Sequence, residues 1–259
     1  MNSKIQSFNP SILQSFSPSF LQSFNPSVLM KLLLLETATE ICSVALSKGN
    51  EIIASVSSNK GNSHTENLFS FIEQVLTEGN SNISELDGVV LSIGPGSYTG
   101  LRIGASAAKG ICYALNIPLI GIFTLQSIVF GAILQQKEKE KEKLLYCPMI
   151  DARRMEVFTA LFNEKGEIIT EVENKIIDEN AFINELENNL IYFCGNGMPK
   201  CKSLLQHKNA YFIETPLVAE NMLIPALLKL ENKQFEDAVY FEPFYFKEYV
   251  AKKSGVKGL

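Results

Sequence analysis

The chain reads as an α/β protein made of two copies of one arrangement. Short apolar runs rich in β-branched residues recur along it, and segments of helical spacing separate them. The order βββαβαβα occurs once on each side of the charged run 137–143, so a mixed sheet flanked by helices is expected twice. At 259 residues there is room for one large domain or two small ones.

Residues 1–29 stand outside that order. They hold one octapeptide three times: QSFNPSIL from Gln6, QSFSPSFL from Gln14 and QSFNPSVL from Gln22. A proline-centred unit of this length cannot stack as a supersecondary element. Lys4 is the only charge, serine and proline break every apolar stretch that a signal peptide needs, and arginine is absent, which argues against a transit peptide. The expectation is a disordered extension or a mis-assigned start, since Met30 opens a strand at once with MKLLLLETATE.

The first half is read as 30–136. Strands are predicted at 31–36, 40–48 and 50–57, a helix at 64–76, a strand at 88–93, a helix at 98–115, the strand PLIGI and a helix to 135. The run 137–143, KEKEKEK, alternates in charge and buries nothing, so it is read as a linker or solvated helix end. In the second half, 144–259, strands are predicted at 145–150, 155–162 and 167–172, followed by a helix capped by Asp178. The strand LIYFC, the loop Gly195–Gly197, a helix, the strand AYFI and a helix at 219–230 complete it. That order, repeated, suggests the duplicated ribonuclease-H-like fold that actin, the Hsp70 ATPase domain and the sugar kinases share, the ASKHA class.

Lys plus Arg number 23 against 28 Asp plus Glu, a net charge of -5, so no general basic field draws nucleic acid. The five cysteines, Cys42, Cys112, Cys147, Cys194 and Cys201, form no C-x-x-C pair and read as free thiols of a reducing cytoplasm. No stretch reaches the roughly eighteen unbroken apolar residues of a membrane span.

In the superfamily, the turn after each copy's first strand carries an Asp-x-Gly type motif that admits phosphates and a metal to the backbone. The corresponding turns are Glu36-Thr37-Ala38-Thr39 and Asp151-Ala152-Arg153-Arg154, and neither has the glycine. The Cβ atoms of Ala38 and Ala152 crowd a phosphate, and Arg153 brings bulk with its charge. A degenerate nucleotide site is expected.

The segments LLLETATEICSVAL, SHTENLF, IGPGSYTGLRIGASAAKGICYAL, PLIGIFTL and IDARRMEVF, with FEPFYFKEYVAKK near the end, resemble the bacterial TsaB (YeaZ) family from Met30 to about residue 253. The likeness is weaker in the second half, and Glu36 stands where the family often has Asp. The resemblance implies a cytoplasmic, non-catalytic subunit that binds and activates TsaD in making N6-threonylcarbamoyladenosine on tRNA. It further implies that TsaE completes the complex, that TsaD and TsaE carry the ATP and metal chemistry, and that tRNA is met only indirectly. Aligned with TsaD, which carries a metal-binding His-x-Glu-Gly-His after the strand equivalent to PLIGI, the chain puts Thr124 and Ile128 in place of the two histidines, and neither replaces imidazole.

The loop LSIGPGSYTGLRIG has the look of a phosphate cradle, but it lacks the Walker lysine, and Gly94, Gly96 and Gly100 overshoot the dinucleotide spacing by one. It reads as a tight turn, with Gly94 and Gly96, on either side of Pro95, free to take positive φ and Ser97 or Thr99 capping a helix. Weak anion binding beside Arg102 is left open. In the helix that follows, Gly100, Gly104 and Ala108 form one stripe beside Leu101 where a second helix can approach closely. In the segment from His64, Leu68, Phe69, Phe71, Ile72 and Val75 make an apolar arc wider than the ~100° that a helix needs for its own core. The family implies that this helix pair meets the matching pair of TsaD, and that a homodimer can form through a similar surface.

The competing readings are a glycoprotease-like peptidase or a small-molecule kinase. His64 and His207 are the only histidines, far apart, and no nucleophile motif accompanies them. Lys247, Lys252, Lys253 and Lys257 in the tail are the basis for direct tRNA contact, and four such lysines more often mean solubility.

Overall fold

The computed structural model describes residues 29–59, 64–136 and 144–246. The octapeptide segment to residue 28, the charged run 137–143 and the tail lysines lie outside the described residues.

The first half comprises β1 (Lys31–Glu36), β2 (Cys42–Lys48), β3 (Glu51–Ser58), α1 (His64–Glu78), β4 (Gly88–Ser92), α2 (Tyr98–Leu115), β5 (Leu119–Ile122) and α3 (Thr124–Gln135). The second comprises β6 (Leu144–Asp151), β7 (Glu156–Thr159), β8 (Phe162–Asn163), β9 (Glu173–Ile176), α4 (Ile183–Asn188), β10 (Leu190–Cys194), α5 (Met198–Cys201), β11 (Ala210–Ile213) and α6 (Leu223–Glu231). The first sheet runs β3-β2-β1-β4-β5 and the second β9-β7-β6-β10-β11, with β8 also pairing β6. Setting β8 aside, the two orders are the same, which is the duplication expected of the ribonuclease-H-like fold. In each sheet the first strand is antiparallel to the second and parallel to the fourth.

The four leucines of β1 are buried on both faces, as a central strand requires. Leu33 and Leu35 pack with Leu68, Ile72 and Val75 of α1 and Ala105 and Ala108 of α2. Leu32 and Leu34 pack on the other face against Met222, Leu223 and Ala226. A third cluster joins the halves: Leu125, Ile128 and Val129 of α3 meet Ile150, Phe158 and Cys194 of the second sheet.

Four elements differ from the sequence expectation. The strand expected over 155–162 breaks into β7 and β8, and the next forms at Glu173–Ile176 rather than at 167–172. Ile168 and Ile169 are half exposed there, and Ile168 makes only an isolated bridge to Phe162. Asp178 caps a turn by accepting from the Asn180 amide at 2.9 Å, and α4 starts later, after Phe182 at φ 65°. The last helix begins as a 3-10 turn at Ala219–Met222, and Pro225 lies in the first α-helical turn that follows.

The chain then returns to the first half. The Glu236 amide bonds to Leu119 O at 2.9 Å and the Phe244 amide to Ile93 O at 2.7 Å, so residues 236–246 strap the ends of β4 and β5. Lys109 holds the strap by donating to Val239 O and Phe241 O.

Candidate functional site

The turn after β1 lies at the carboxyl end of the sheet, between the strands where the chain direction switches, the usual place for a ligand in such folds. Here protein fills it. Glu36 is fully buried, and its Oε1 accepts from the Ala38 amide at 2.7 Å and from Ser92 Oγ at 2.8 Å. Burial pushes its carboxyl up to about 7, against the lowering effect of those hydrogen bonds. Thr37 Oγ1 donates to Gly100 O at 2.8 Å, and the Ala38 carbonyl accepts from the Ser97 amide. His64 donates from Nε2 to the Thr39 carbonyl at 2.7 Å, so its ring fastens α1 to the turn. Thr39 is buried as well.

The glycine loop closes on that turn. Ser97 caps α2, accepting from the Gly100 amide at 3.3 Å, while Thr99 is exposed. Gly94 sits at φ 113°, but Gly96 does not take a positive φ, contrary to expectation; it is glycine because a Cβ would overlap the Ala38 carbonyl. Pro95 is buried, and the strap covers the loop so closely that a Cβ at Gly94 would overlap the Phe244 carbonyl. Arg102 lies over the Tyr98 ring at 4.4 Å and donates from Nε to Tyr245 Oη at 3.2 Å. The loop left open for an anion is occupied by the chain's own carboxy-terminal residues, a closure with no periodic signature in the sequence.

In the second half, Asp151 is exposed, ion-paired with Lys200, and accepts from the Arg153 amide at 2.8 Å. Partial burial raises its carboxyl, but Lys200 and Arg153 outweigh that and hold it below its ordinary value. Arg153 and Arg154 take φ of 72° and 50°, so the left-handed position of this turn falls at Arg153 and not at Ala152. Asn196 bridges the halves, accepting from the Asp151 amide and donating to Glu40 Oε2 at 3.0 Å.

Thr124 is buried with its Oγ1 accepting from the Gly94 amide, and Ile128 is buried against Gly195. These residues, with Ala38 and Leu101 in the cluster between the halves, do not fit a nucleotide with its metal. Among the described residues no group of three His, Cys, Asp or Glu could hold a metal ion.

The helix pair departs from the sequence expectation in which way it faces. Leu68, Ile72 and Val75 are core, and Phe71 is partly buried against them. Gly100, Gly104, Leu101 and Ala108 also point inward: a Cβ at Gly100 or Gly104 would overlap Thr37, so that stripe seats α2 on its own turn and offers nothing to a partner helix. His64 belongs to the same internal seat. The outward face of α2 carries Ser106, Gly110 and Ala114, again four apart and all exposed, and a Cβ at Gly110 would meet nothing within 4 Å. Tyr113 of α2, at 78 % exposure, stands out on this side, and Phe69 of α1 is exposed as well, at 61 %. The sequence signal for the second stripe was available: its neighbours Arg102, Lys109 and Tyr113 are polar, while those of the first are Leu101, Ala105 and Cys112.

The family model for TsaD, tRNA N6-adenosine threonylcarbamoyltransferase, matches residues 51–257. The tRNA threonylcarbamoyladenosine biosynthesis protein TsaB of Haemophilus influenzae is 29 % identical over 245 residues, 86 % of this chain and 96 % of its own. The protein of that name from Buchnera aphidicola is 30 % identical over 61 % of this chain and 69 % of its own. A Pseudomonas aeruginosa crystal structure, of a protein similar to peptidase YEAZ, superposes with a TM-score of 0.73 at 23 % identity, over 84 % of this chain and all of that one.

Proposed function

The chain belongs to the TsaD-type family, in its TsaB (YeaZ) branch, and from that premise we propose that it serves tRNA threonylcarbamoyladenosine biosynthesis as a non-catalytic subunit that binds and activates the TsaD transferase. TsaE joins the complex, ATP and metal are carried by TsaD and TsaE, and tRNA is met through TsaD. The work is done in the cytoplasm, in keeping with five free, buried thiols and with no described helix long and apolar enough to cross a membrane.

The observation that carries this reading is the outward face of α1 and α2. Phe69 on α1 and Tyr113 on α2 are large aromatic side chains left in solvent, and Tyr113 lies one turn from the open Gly110, a combination that suits an approaching helix. What supports the absence of catalysis is the filling of the ligand end of the first sheet by Glu36, Ala38 and the strap. Peptidase or kinase chemistry would need an activated nucleophile or an open crevice, and His64, the nearest base, is committed to a backbone carbonyl.

The test is Phe69→Asp. It should leave folding intact and weaken TsaD binding by roughly 2 kcal/mol or more, with loss of tRNA modification in a reconstituted system. Phe71→Asp should instead unfold the chain, because that ring packs on the core. Wild-type TsaD affinity in Phe69→Asp would overturn the assignment, and loss of a homodimer alone would assign the face to self-association.

A further inference from the structure

The turn after β1 has become more than a closed ligand site. Within four residues it touches the first turns of both outward helices: Thr37 bonds to Gly100 O, the Ala38 carbonyl takes the Ser97 amide at 2.7 Å, and the Thr39 carbonyl takes His64 Nε2. Glycines at 96, 100 and 104 let the turn lie directly on α2. The conformation of Glu36–Thr39 therefore sets where α1 and α2 begin, and so how Phe69 and Tyr113 are presented.

One member of this seat is incompletely satisfied. Oε1 of Glu36 receives two donors and the Thr37 amide adds a lesser lowering contact to the carboxyl, while Oε2 is buried with no partner in full hydrogen-bond geometry. A neutral carboxyl tolerates this, because its proton can reside on Oε2. A carboxylate does not: its charge would sit unpaired in apolar surroundings, and the turn or a water would have to move to reach it.

The geometry points to a proton-dependent seat: with Glu36 neutral the turn holds α1 and α2 in the alignment that the partner meets, and ionisation of Glu36 loosens that alignment and weakens docking. This rests on the docking reading above. Of the titratable groups on elements packed against β1, Cys42 of β2 is the one that interacts with Glu36, and burial pushes that thiol up to about 11. Lys48 lies at the far end of β2, β4 carries no titratable group, and Glu220 of the 3-10 turn adds a carboxylate and no cation. On α2, Arg102 is held by Tyr98 and Tyr245, Lys109 by the strap and Cys112 by Pro118 O, while Tyr113 is exposed. On α1, His64 is bonded to the Thr39 carbonyl of the same turn and not to Glu36, and Glu66, Glu73 and Glu78 are exposed carboxylates, so no cation is hydrogen-bonded to Glu36.

The experiment uses the full chain and its Glu36→Gln variant, which keeps the Oε1 acceptor and cannot ionise. Backbone amide resonances of Ala38, Ser97 and Gly100 are followed by NMR from acid to mildly alkaline pH, and TsaD affinity is measured by calorimetry at both ends. In the wild type the three amides should shift together with one midpoint near neutrality, and affinity should fall about tenfold on the alkaline side. In Glu36→Gln both responses should be flat. Wild-type amides that do not titrate, or a variant that titrates like the wild type, overturn the inference. If the amides titrate in the wild type alone while TsaD binds at neither pH, the seat stands and the docking reading falls. Should Glu36→Gln not fold, Ser92→Ala removes one donor to Oε1 and should move the midpoint upward; an unmoved midpoint overturns the inference equally.

Discussion

The turns after β1 and β6 occupy the same place in two copies of one topology, and they have been used in opposite ways. Glu36 is sealed from solvent, with α1, α2 and the strap fastened around it, whereas Asp151 sits in the open, paired with Lys200. The loops that face them repeat the contrast. Gly94 and Gly195 both hold positive φ, at 113° and 89°, so the turn geometry was duplicated faithfully. What differs is the cover: the returning chain lies on Gly94, while Gly195 is met by Met149 O of the strand beside it. A duplicated backbone thus leaves open whether its carboxyl-end crevice holds a ligand, a strap or water. The side chains and chain ends that reach the crevice decide.

The largest expected effect separates Gly96 from its counterpart Gly197. At Gly96 a methyl group would overlap the Ala38 carbonyl, which cannot retreat because the Ser97 amide and Glu36 hold that turn. At Gly197 the nearest atoms would be 3.0 Å away, and Val157 Cγ1 is one of them. Gly96→Ala should cost roughly 3 kcal/mol or more and Gly197→Ala about 1 to 2 kcal/mol, read from urea unfolding. Equal costs would mean that the two turns are equally tight and that the comparison fails.

A second difference appears in pH dependence. Burial raises Glu36 from 4.5 to about 7, so between those values the folded chain holds a proton that the unfolded chain has released. Stability from this group is therefore full on the acid side and falls as pH rises to about 7, by about 3 kcal/mol in all. Glu36→Gln should abolish that slope, measured as the difference between urea midpoints at the two ends of the range. A variant with the wild-type slope would show that Glu36 is solvated and ionised at neutral pH.

Much of this architecture was legible in the sequence because it rests on period. The leucines of β1 and the 3.6-residue spacing of α1 and α2 are local patterns, and the repeated element order follows from them. The absence of glycine from both turns was equally plain, being a matter of residue identity. Direction was harder. Two small-residue stripes four apart run along α2, and the expectation took the inward one, Gly100–Gly104–Ala108, for the partner's face. Gly104 and Gly110 are alike as glycines, and the polar neighbours of Gly110 were the one local sign of its direction; what seats Gly104 inward is the Thr37 turn, more than sixty residues earlier in the chain. The strap was illegible for a related reason: Phe244 and Tyr245 meet Ile93, Tyr98 and Arg102 across the whole chain, through a backbone bond and ring contacts that no spacing announces.

The smallest expected effect lies at Asp151, and its smallness is the point. Lys200 and Arg153 hold this carboxyl below its ordinary value, so its contribution is present at neutral pH and is lost only as pH falls through that lowered range. The pair is exposed, with side-chain exposures of 23 % for Lys200 and 48 % for Asp151, and an exposed ion pair contributes at most about 1 kcal/mol. Asp151→Asn keeps an acceptor for the Arg153 amide and should lower stability at neutral pH by less than about 1 kcal/mol, with the difference shrinking in high salt. It should also leave the acid-to-neutral slope attributed to Glu36 unchanged, because the Asp151 titration lies wholly on the acid side of that range. A loss of several kcal/mol, or a change in that slope, would mean that Asn196 and Glu40 couple the two turns across the halves, and that the second-half turn is as much a structural seat as the first.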